Sequence, residues 1–240
     1  VFVIDSMLEC NLAKTWRKLI EDNFDQPISG LILTHAHDDH VLGNQIFKDV
    51  PIIACSHIRE RMVQKLKKEW LPDKLKEWDK DLQIVLPTFV FDTEFKLFDE
   101  ENHLIIKVAD GHTLGSSYLW EPKSKTLIAG DLAFNRIFPY GGDPTCDLRL
   151  WQKAMEELIS LDPEIIISGH GPLATKDDLK EINSFFLASL EFIESNYYKG
   201  KPPDEIINSP NFPDYYSEGR EERKKDSIQH WVSLMKPPQT

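Results

Sequence analysis

The first half of the sequence alternates short apolar runs with amphipathic segments. Residues 1–5 and 30–34 predict buried strands, and residues 12–24 have the apolar spacing of an amphipathic helix. A helix is then expected over 40–47, a strand over 51–55 and a charged helical segment over 56–80. Strand–helix units in this order are typical of the α/β class.

The second half begins with a block of short strands and returns to strand–helix order. Strands are expected between residues 88 and 128, followed by a helix over 148–161, a strand over 163–169 and a long helix over 176–198. Pro and Gly indicate a linker over 199–213, and a last helix is expected over 226–235. We therefore predict a main domain over 1–198 and a C-terminal extension over 199–240 that packs on it.

The composition is that of a globular protein. Of 240 residues, 41% are hydrophobic and 28% are charged, which excludes disordered, collagen-like and coiled-coil classes. No apolar run approaches the roughly 20 residues of a membrane helix. The chain opens at Val1 directly with a strand-like run and no signal-peptide pattern, so we expect an N-terminus trimmed of earlier residues.

Charge and cysteine content narrow the function classes. The 28 basic and 40 acidic residues give a net charge of −12, which disfavours nucleic acid as a partner. Three cysteines without a CxxC pair indicate a reducing compartment, and we predict a cytoplasmic protein.

The histidines are unevenly distributed. Three of the eight lie in the stretch His35-Ala36-His37-Asp38-Asp39-His40, directly after a predicted strand. His112 and His170 each follow a glycine at a strand end or turn, and Asp131 ends the apolar run TLIAGD. His57, His103 and His230 lie outside this pattern, and we predict no role for them.

This grouping predicts a metal site. Neutral imidazole and carboxylate are ligands of borderline divalent metals such as Zn²⁺. Four such side chains within six residues would be costly to bury without a metal. Glycines beside His112, Asp131 and His170 permit close approach of other loops, and seven candidate ligands suit two metals that share one carboxylate.

With these motifs, the sequence resembles the metallo-β-lactamase superfamily over residues 1–175. The resemblance implies an α/β fold, a four-layer αβ/βα sandwich with the metals at one edge between its two sheets, here with a C-terminal helical extension. It also implies a ligand set, with His35, His37 and His112 on the first metal, Asp39, His40 and His170 on the second, and Asp131 bridging both. The family usually has one or two strands before the first one here.

Departures from other branches favour one group within the family. The common β-lactamases have Cys at the position of Asp131 and another class has Ser, while flavodiiron proteins have Glu at the position of His37. The last motif reads GHGPL here, where glyoxalase II typically has GHEYT with a Tyr that contacts glutathione. The sequence therefore resembles the broad glyoxalase-II-like group, and its net charge disfavours the nuclease branch.

The leading functional hypothesis is a dinuclear metal-dependent hydrolase that attacks a small thioester, lactone or other ester through a metal-bridging hydroxide. Zn²⁺ is the first choice of metal, with iron or manganese as alternatives, and Asp39 and Asp131 are expected to orient the hydroxide. A mononuclear iron persulfide dioxygenase of the same superfamily is the alternative. A non-catalytic metal-binding module is a further alternative.

Contacts with substrate and partners are less constrained. The segment after Asp131 supplies five candidate pocket residues, which are Phe134, Asn135, Arg136, Phe138 and Tyr140. Arg136 could pair with a substrate carboxylate or phosphate, and plain loop packing is the alternative. Trp70 and Trp78 could belong to a lid, form a dimer contact or pack in the core. Tail tyrosines, Tyr215 among them, are candidates to cap the cleft. We expect a small-molecule substrate, no nucleic acid and no membrane, and the resemblance alone implies a homodimer.

Overall fold

The computed structural model describes residues 1–66, 82–99 and 102–235. It divides into two units, which we call unit 1 (Val1–Glu94) and unit 2 (Phe95–Thr240). Trp70 and Trp78, for which a lid, dimer or core role was expected, lie outside the described residues. The division expected at residues 198 and 199 stays a prediction.

Unit 1 is built on a parallel four-stranded sheet in the order β1-β2-β3-β4. All residues of β2 and β3 are buried, and so their sequences are continuously apolar and do not alternate. The strands are β1 (Phe2–Ile4), β2 (Gly30–Ile32), β3 (Ile52–Cys55) and β4 (Phe89–Phe91). The helices are α1 (Cys10–Asn23), α2 (Asp38–Val41), a 3₁₀ helix (Leu42–Phe47) and α3 (Ser56–Lys65).

An arginine connects α1 to the chain around the 3₁₀ helix. The Arg17 guanidinium donates to the carbonyl of Ile46 at 2.6 Å and to both carboxylate oxygens of Asp49 at 2.5 and 2.7 Å. This hydrogen-bonded pairing lowers the pKa of Asp49. The segment that follows the histidine motif is therefore anchored within unit 1.

Unit 2 contains a five-stranded sheet in the order β5-β6-β7-β8-β9. β6, β7 and β8 pair antiparallel, and β9 returns parallel to β8 after the crossover helix α4, as parallel pairing requires. The strands are β5 (Glu94–Phe98), which begins at the last residue of unit 1, β6 (His103–Val108), β7 (Ser117–Glu121), β8 (Thr126–Phe134) and β9 (Ile165–His170). The helices are α4 (Leu148–Ser160), α5 (Lys176–Tyr198), α6 (Pro203–Ile207) and α7 (Glu221–Ser233).

The pairing of β8 with β9 loses its register towards the C-terminal ends of the two strands. Ile128 pairs with Ile167 and Phe134 with His170, so six steps along β8 correspond to three along β9. The irregularities lie between Ile128 and Gly130 and between Gly130 and Phe134. Asp131 therefore lies in an irregular stretch of the strand and not in a regular ladder.

The C-terminal helices pack into the core of unit 2. α5 begins at a capping box in which Thr175 and Asp178 satisfy each other's backbone N–H groups, so the helix starts where the sequence predicts. Ile206 of α6 and Trp231 of α7 are buried in the same hydrophobic cluster as Trp151 of α4. The extension after Tyr198 is therefore part of the packed interior of this unit.

Most predicted elements are found within a few residues of their expected bounds, with three differences. Asp131 does not end its strand, because β8 continues through Phe134. The short helix α6, with Pro203 at its first position, interrupts the predicted linker. The second half of the histidine motif is helical from Asp38, before the expected start at residue 40. Within the described ranges, no helix is long and apolar enough to cross a membrane.

Candidate metal centre

The histidine motif of unit 1 follows β2 and turns at once into a helix. His35 is 1% exposed and His40 is 6% exposed. The ring centroid of His35 lies 4.7 Å from that of His37 and 4.1 Å from that of His40. His35 and His37 offer ligand atoms within 4.8 Å of each other, and Asp39 and His40 do the same. The strand-to-helix turn thus gathers four ligand-type side chains in a short stretch of unit 1.

A carboxylate that the sequence analysis missed supports these histidines. Oδ2 of Asp5, just after β1, lies 2.7 Å from Nδ1 of His40 and accepts a hydrogen bond from the Thr34 hydroxyl at 2.7 Å. The backbone N–H of Thr34 donates to Oδ1 of Asp5 at 2.8 Å. Asp5 ends an apolar strand-like run, which is the pattern that drew attention to Asp131, and that pattern could have identified it.

This network assigns the proton positions on two of the histidine rings. The single hydroxyl hydrogen of Thr34 goes to Asp5, so the Thr34 oxygen, 3.1 Å from Nδ1 of His35, accepts a hydrogen bond from that nitrogen. His40 in turn directs its Nδ1–H to Asp5. In both rings Nε2 then carries the lone pair, which is the form that a metal ligand requires.

Unit 2 brings its three predicted ligands together around one carboxylate. Asp131 is 4% exposed, and its Oδ2 lies 3.4 Å from Nε2 of His112 and 3.4 Å from Nε2 of His170. His112 is fully buried in the turn after β6, and His170 is the last residue of β9. A turn, a strand and a strand end, in this chain order, therefore bring two imidazoles close to one carboxylate oxygen.

Packing leaves little freedom around this carboxylate. A Cβ atom on Gly169 would lie 2.0 Å from Oδ1 of Asp131, so no larger residue fits there without movement. The Phe134 ring stacks on His170 with centroids 5.2 Å apart, and the Trp151 ring lies 5.0 Å from that of His112. Aromatic side chains thus fix the orientation of both imidazoles of unit 2.

The five candidate pocket residues have different surroundings, and their role as substrate contacts stays a prediction. Phe138 is fully buried and packs on Phe185 and Trp231, as a core residue does. Phe134 and Asn135 are also buried.

The other two are more open. Arg136 is exposed, with Nη2 3.7 Å from Oδ1 of Asp178, and the Arg223 guanidinium lies 5.7 Å from the centroid of the Tyr140 ring. A hydrogen bond from Thr175, assisted by Arg136, lowers the pKa of Asp178. The carboxylate facing Arg136 is therefore charged at neutral pH.

The three histidines for which no role was predicted lie elsewhere. His57 is exposed on α3 beside Glu60, and His103 stacks on Phe98 at the start of β6. Nε2 of His230 lies 2.9 Å from the carbonyl oxygen of Cys146. None of the three belongs to a group of candidate metal ligands among the described residues.

Comparison with known proteins identifies the fold. The family model described as the metallo-beta-lactamase superfamily matches residues 1–170. Similar solved structures include a metallo-β-lactamase from Pontibacter korlensis, with 20% identity and a TM-score of 0.64 over 78% of this chain and 81% of that chain. The metallo-β-lactamase IND-7 has 18% identity and a TM-score of 0.63 over 78% of this chain and 80% of that chain.

A third similar structure, TMB-1, has 21% identity and a TM-score of 0.62 over 78% of this chain and 79% of that chain. Among curated proteins, none matches the sequence significantly. The structural similarities confirm the predicted α/β class, with two sheets flanked by helices. Because the family model spans more than half of the 240 residues, the chain belongs to the metallo-β-lactamase superfamily.

Proposed function

We propose that this chain is a metal-dependent hydrolase of small thioesters, lactones or other esters. The observation that carries the proposal is the placement of His112 and His170, each 3.4 Å from the same oxygen of Asp131. Two imidazoles beside one carboxylate are the ligand types that a divalent metal such as Zn²⁺ takes. Family membership supports the same interpretation.

Seven residues would hold two divalent metal ions, most simply Zn²⁺. They are His35, His37, His112, Asp39, His40, Asp131 and His170. The donors fit such ions, because all are imidazole or carboxylate groups and the proton positions in unit 1 leave Nε2 of His35 and His40 as ligand atoms. When bound, the metals supply Lewis acidity that brings the pKa of water close to about 7.

The side chains of this protein then have distinct tasks. Asp131 provides a negative charge in a buried position, where it can orient a water molecule between cations. Asp39, whose side chain is 43% exposed, can accept a proton or a hydrogen bond from a water molecule. Asp5 keeps His40 in the ligand tautomer.

A cysteine nucleophile is disfavoured by the surroundings of the thiols. All three cysteines are buried, and burial raises the pKa of Cys146 to about 12. A protonated buried thiol is a poor nucleophile at neutral pH. Activated water is the nucleophile that remains consistent with the residues of the site.

The ester and thioester preference rests on the resemblance to the glyoxalase-II-like group. Asp131 occupies the position where the common β-lactamases have Cys, and the motif at His170 reads Gly-His-Gly-Pro. Two of the three similar solved structures are metallo-β-lactamases, but at 18–21% identity all three support the fold and not the substrate. A β-lactam therefore belongs in the substrate panel as a comparison.

The decisive experiment is elemental analysis of protein purified without added metal or chelator, followed by a substrate panel. We expect two equivalents of zinc, or of mixed zinc with iron or manganese, and hydrolysis of at least one thioester, lactone or ester. Asp131→Ala should lose both metal and turnover, whereas the matched control His57→Ala should retain both. One equivalent of iron with oxygen uptake on a persulfide, or full metal loading without any turnover, would contradict the proposal.

A further inference from the structure

Asn135 joins the end of β8 to the turn that carries His170. It is 1% exposed, and its backbone N–H donates to the carbonyl of His170 at 3.0 Å. Its side-chain Nδ2 donates to the carbonyl oxygen of Leu173 at 3.0 Å and to that of Pro172 at 3.4 Å. Asn135 thus holds three carbonyl groups in the four-residue segment that starts at His170.

The same turn is closely fitted around Asn135. Gly171 has φ of +97°, and a Cβ atom there would lie 1.9 Å from the carbonyl oxygen of Asn135. Only glycine allows both this backbone conformation and this approach. The backbone after His170 therefore packs closely against Asn135, although the side chain of Leu173 is exposed.

A tyrosine from the C-terminal extension fixes the backbone on both sides of Asn135. The Tyr215 hydroxyl donates to the carbonyl of Phe134 at 3.0 Å and accepts from the backbone N–H of Arg136 at 3.3 Å. Arg136 has φ of +55°, a left-handed conformation that needs such support in a residue with a side chain. Burial raises the pKa of Tyr215, so its hydroxyl remains a donor throughout the physiological range.

We propose that Asn135 is a positioning residue that holds His170 against Asp131, and that Tyr215 keeps Asn135 in place. This inference rests on the proposed function of a dinuclear site, in which His170 belongs to the second metal as the family resemblance implies. It gives Asn135 a role besides the expected one in the substrate pocket, which stays a prediction. The amide is required because it alone offers two N–H donors to the two carbonyl groups, whereas an aspartate would turn a negative oxygen towards them.

The test uses Asn135→Asp, which keeps the shape of the side chain and removes its donors. Metal-free protein is titrated with Co²⁺, and the visible absorption reports each equivalent bound. We expect the wild type to bind two equivalents. The variant should bind the first within twofold of the wild type and the second about 10- to 100-fold more weakly. His170→Ala provides the reference for a lost second site.

A matched control comes from the same unit. Asn196 on α5 is 8% exposed and also donates its Nδ2 to a backbone carbonyl, that of Phe192, at 2.7 Å. Asn196→Asp makes the same chemical change at a buried asparagine whose side-chain amide donates within α5 and not to the His170 turn. We expect both Co²⁺ equivalents to bind as in the wild type.

Each other outcome has a defined meaning. If Asn135→Asp binds the second equivalent within twofold of the wild type, or loses both equivalents to the same degree, the positioning role is wrong. If the wild type binds fewer than two equivalents, the dinuclear proposal fails and this inference fails with it.

A thermal melt of the metal-free protein would reveal whether Asn135→Asp folds, and a second variant tests the inference if it does not. Tyr215→Phe removes only the hydroxyl that bridges Phe134 and Arg136. It should weaken the second equivalent selectively, by a smaller factor than Asn135→Asp or His170→Ala. Unchanged binding of the second equivalent in a folded Tyr215→Phe would overturn the inference.

Discussion

Nδ1 of His40 lies 2.7 Å from Oδ2 of Asp5, although 35 positions separate the two residues in the chain. The same carboxylate accepts hydrogen bonds from the hydroxyl and the backbone N–H of Thr34, which precedes His35. One acid at the end of β1 therefore orients both ends of the histidine motif. Such partners commonly matter to metal affinity nearly as much as the ligands themselves.

The first prediction concerns this carboxylate. Asp5→Asn should lower metal affinity or kcat/KM by about 10- to 100-fold. An amide cannot accept hydrogen bonds from all the donors that Asp5 now binds, so the tautomer of His40 would no longer be fixed. Metal titration and steady-state kinetics on purified protein check this. Asp22→Asn is the control, since Asp22 is exposed on α1 and accepts hydrogen bonds from the Lys18 ammonium group on the same helix. Equal metal affinity in Asp5→Asn and wild type would contradict the supporting role.

The second prediction concerns the bridging position. Asp131→Ala and His112→Ala should each abolish turnover and lower metal content together, because the buried imidazole of His112 lies beside the buried carboxylate of Asp131 and both are proposed ligands. Elemental analysis and activity on the best substrate of the panel measure the two effects. Near-wild-type activity of purified Asp131→Ala would rule out the dinuclear interpretation, and His57→Ala should behave as the wild type.

The third prediction concerns the thiols. Cys10, Cys55 and Cys146 are buried, and burial raises the pKa of Cys146 to about 12. At pH 8 the native protein should therefore react with a thiol reagent far more slowly than the denatured chain. The denatured chain should consume three equivalents of the reagent, one for each cysteine. Rapid labelling of Cys146 in the folded protein, located by peptide mass spectrometry, would show that this packing is wrong.

The fourth prediction concerns pH and stability in unit 2. Burial raises the pKa of Glu157, but hydrogen bonds from Lys107 at 2.7 Å and Tyr118 at 2.6 Å lower it by more, so it lies below its usual value. A carboxyl with a lowered folded-state pKa stabilises the fold above its unfolded pKa of about 4.3, and this contribution is lost as the pH falls through the folded-state value.

Glu157→Gln should therefore lower the free energy of unfolding at pH 7 by about 1 kcal/mol, discounted for the partial exposure of the site. In denaturant melts the difference from wild type should shrink as the pH falls below about 4.3 and disappear once the pH is below the folded-state pKa. Glu156→Gln changes the adjacent, exposed residue of α4 and should have no effect at either pH. A difference that persists at low pH would mean that the amide disturbs packing instead of charge.

Local patterns allowed much of the fold and the ligand set to be predicted. The bounds of α5 followed from helical periodicity alone, and the structure adds a capping box within the same segment. The histidine motif was visible because its members are adjacent in sequence. Asp5 was missed as a supporting residue because its importance depends on a contact with His40, 35 positions later in the chain, which hydrophobic periodicity does not report.

The remaining differences arise from tertiary contacts. β8 continues past Asp131 because Phe134 pairs with His170 on β9, and no local signal in the sequence reveals that partner. Phe138 packs with Phe185 and Trp231, which lie 47 and 93 positions later in the chain, so its place in the core cannot be read from its own segment. The contacts of Asn135 with Pro172 and Leu173 depend on the pairing of β8 with β9 in the same way, while its expected place in a substrate pocket stays a prediction.

The uneven pairing of β8 and β9 has a consequence for how this protein can lose function. Asp131 belongs to the surplus residues that β8 carries relative to β9, and so the regular ladder from Thr126 to Ile128 does not depend on it. A shortened β8 that lacked this surplus could pair with β9 in even register, but it would lose buried apolar residues such as Leu132 and Ala133 and would have nowhere to place the shared acid. The spacing of this strand is therefore as necessary to the chemistry as the identity of any ligand.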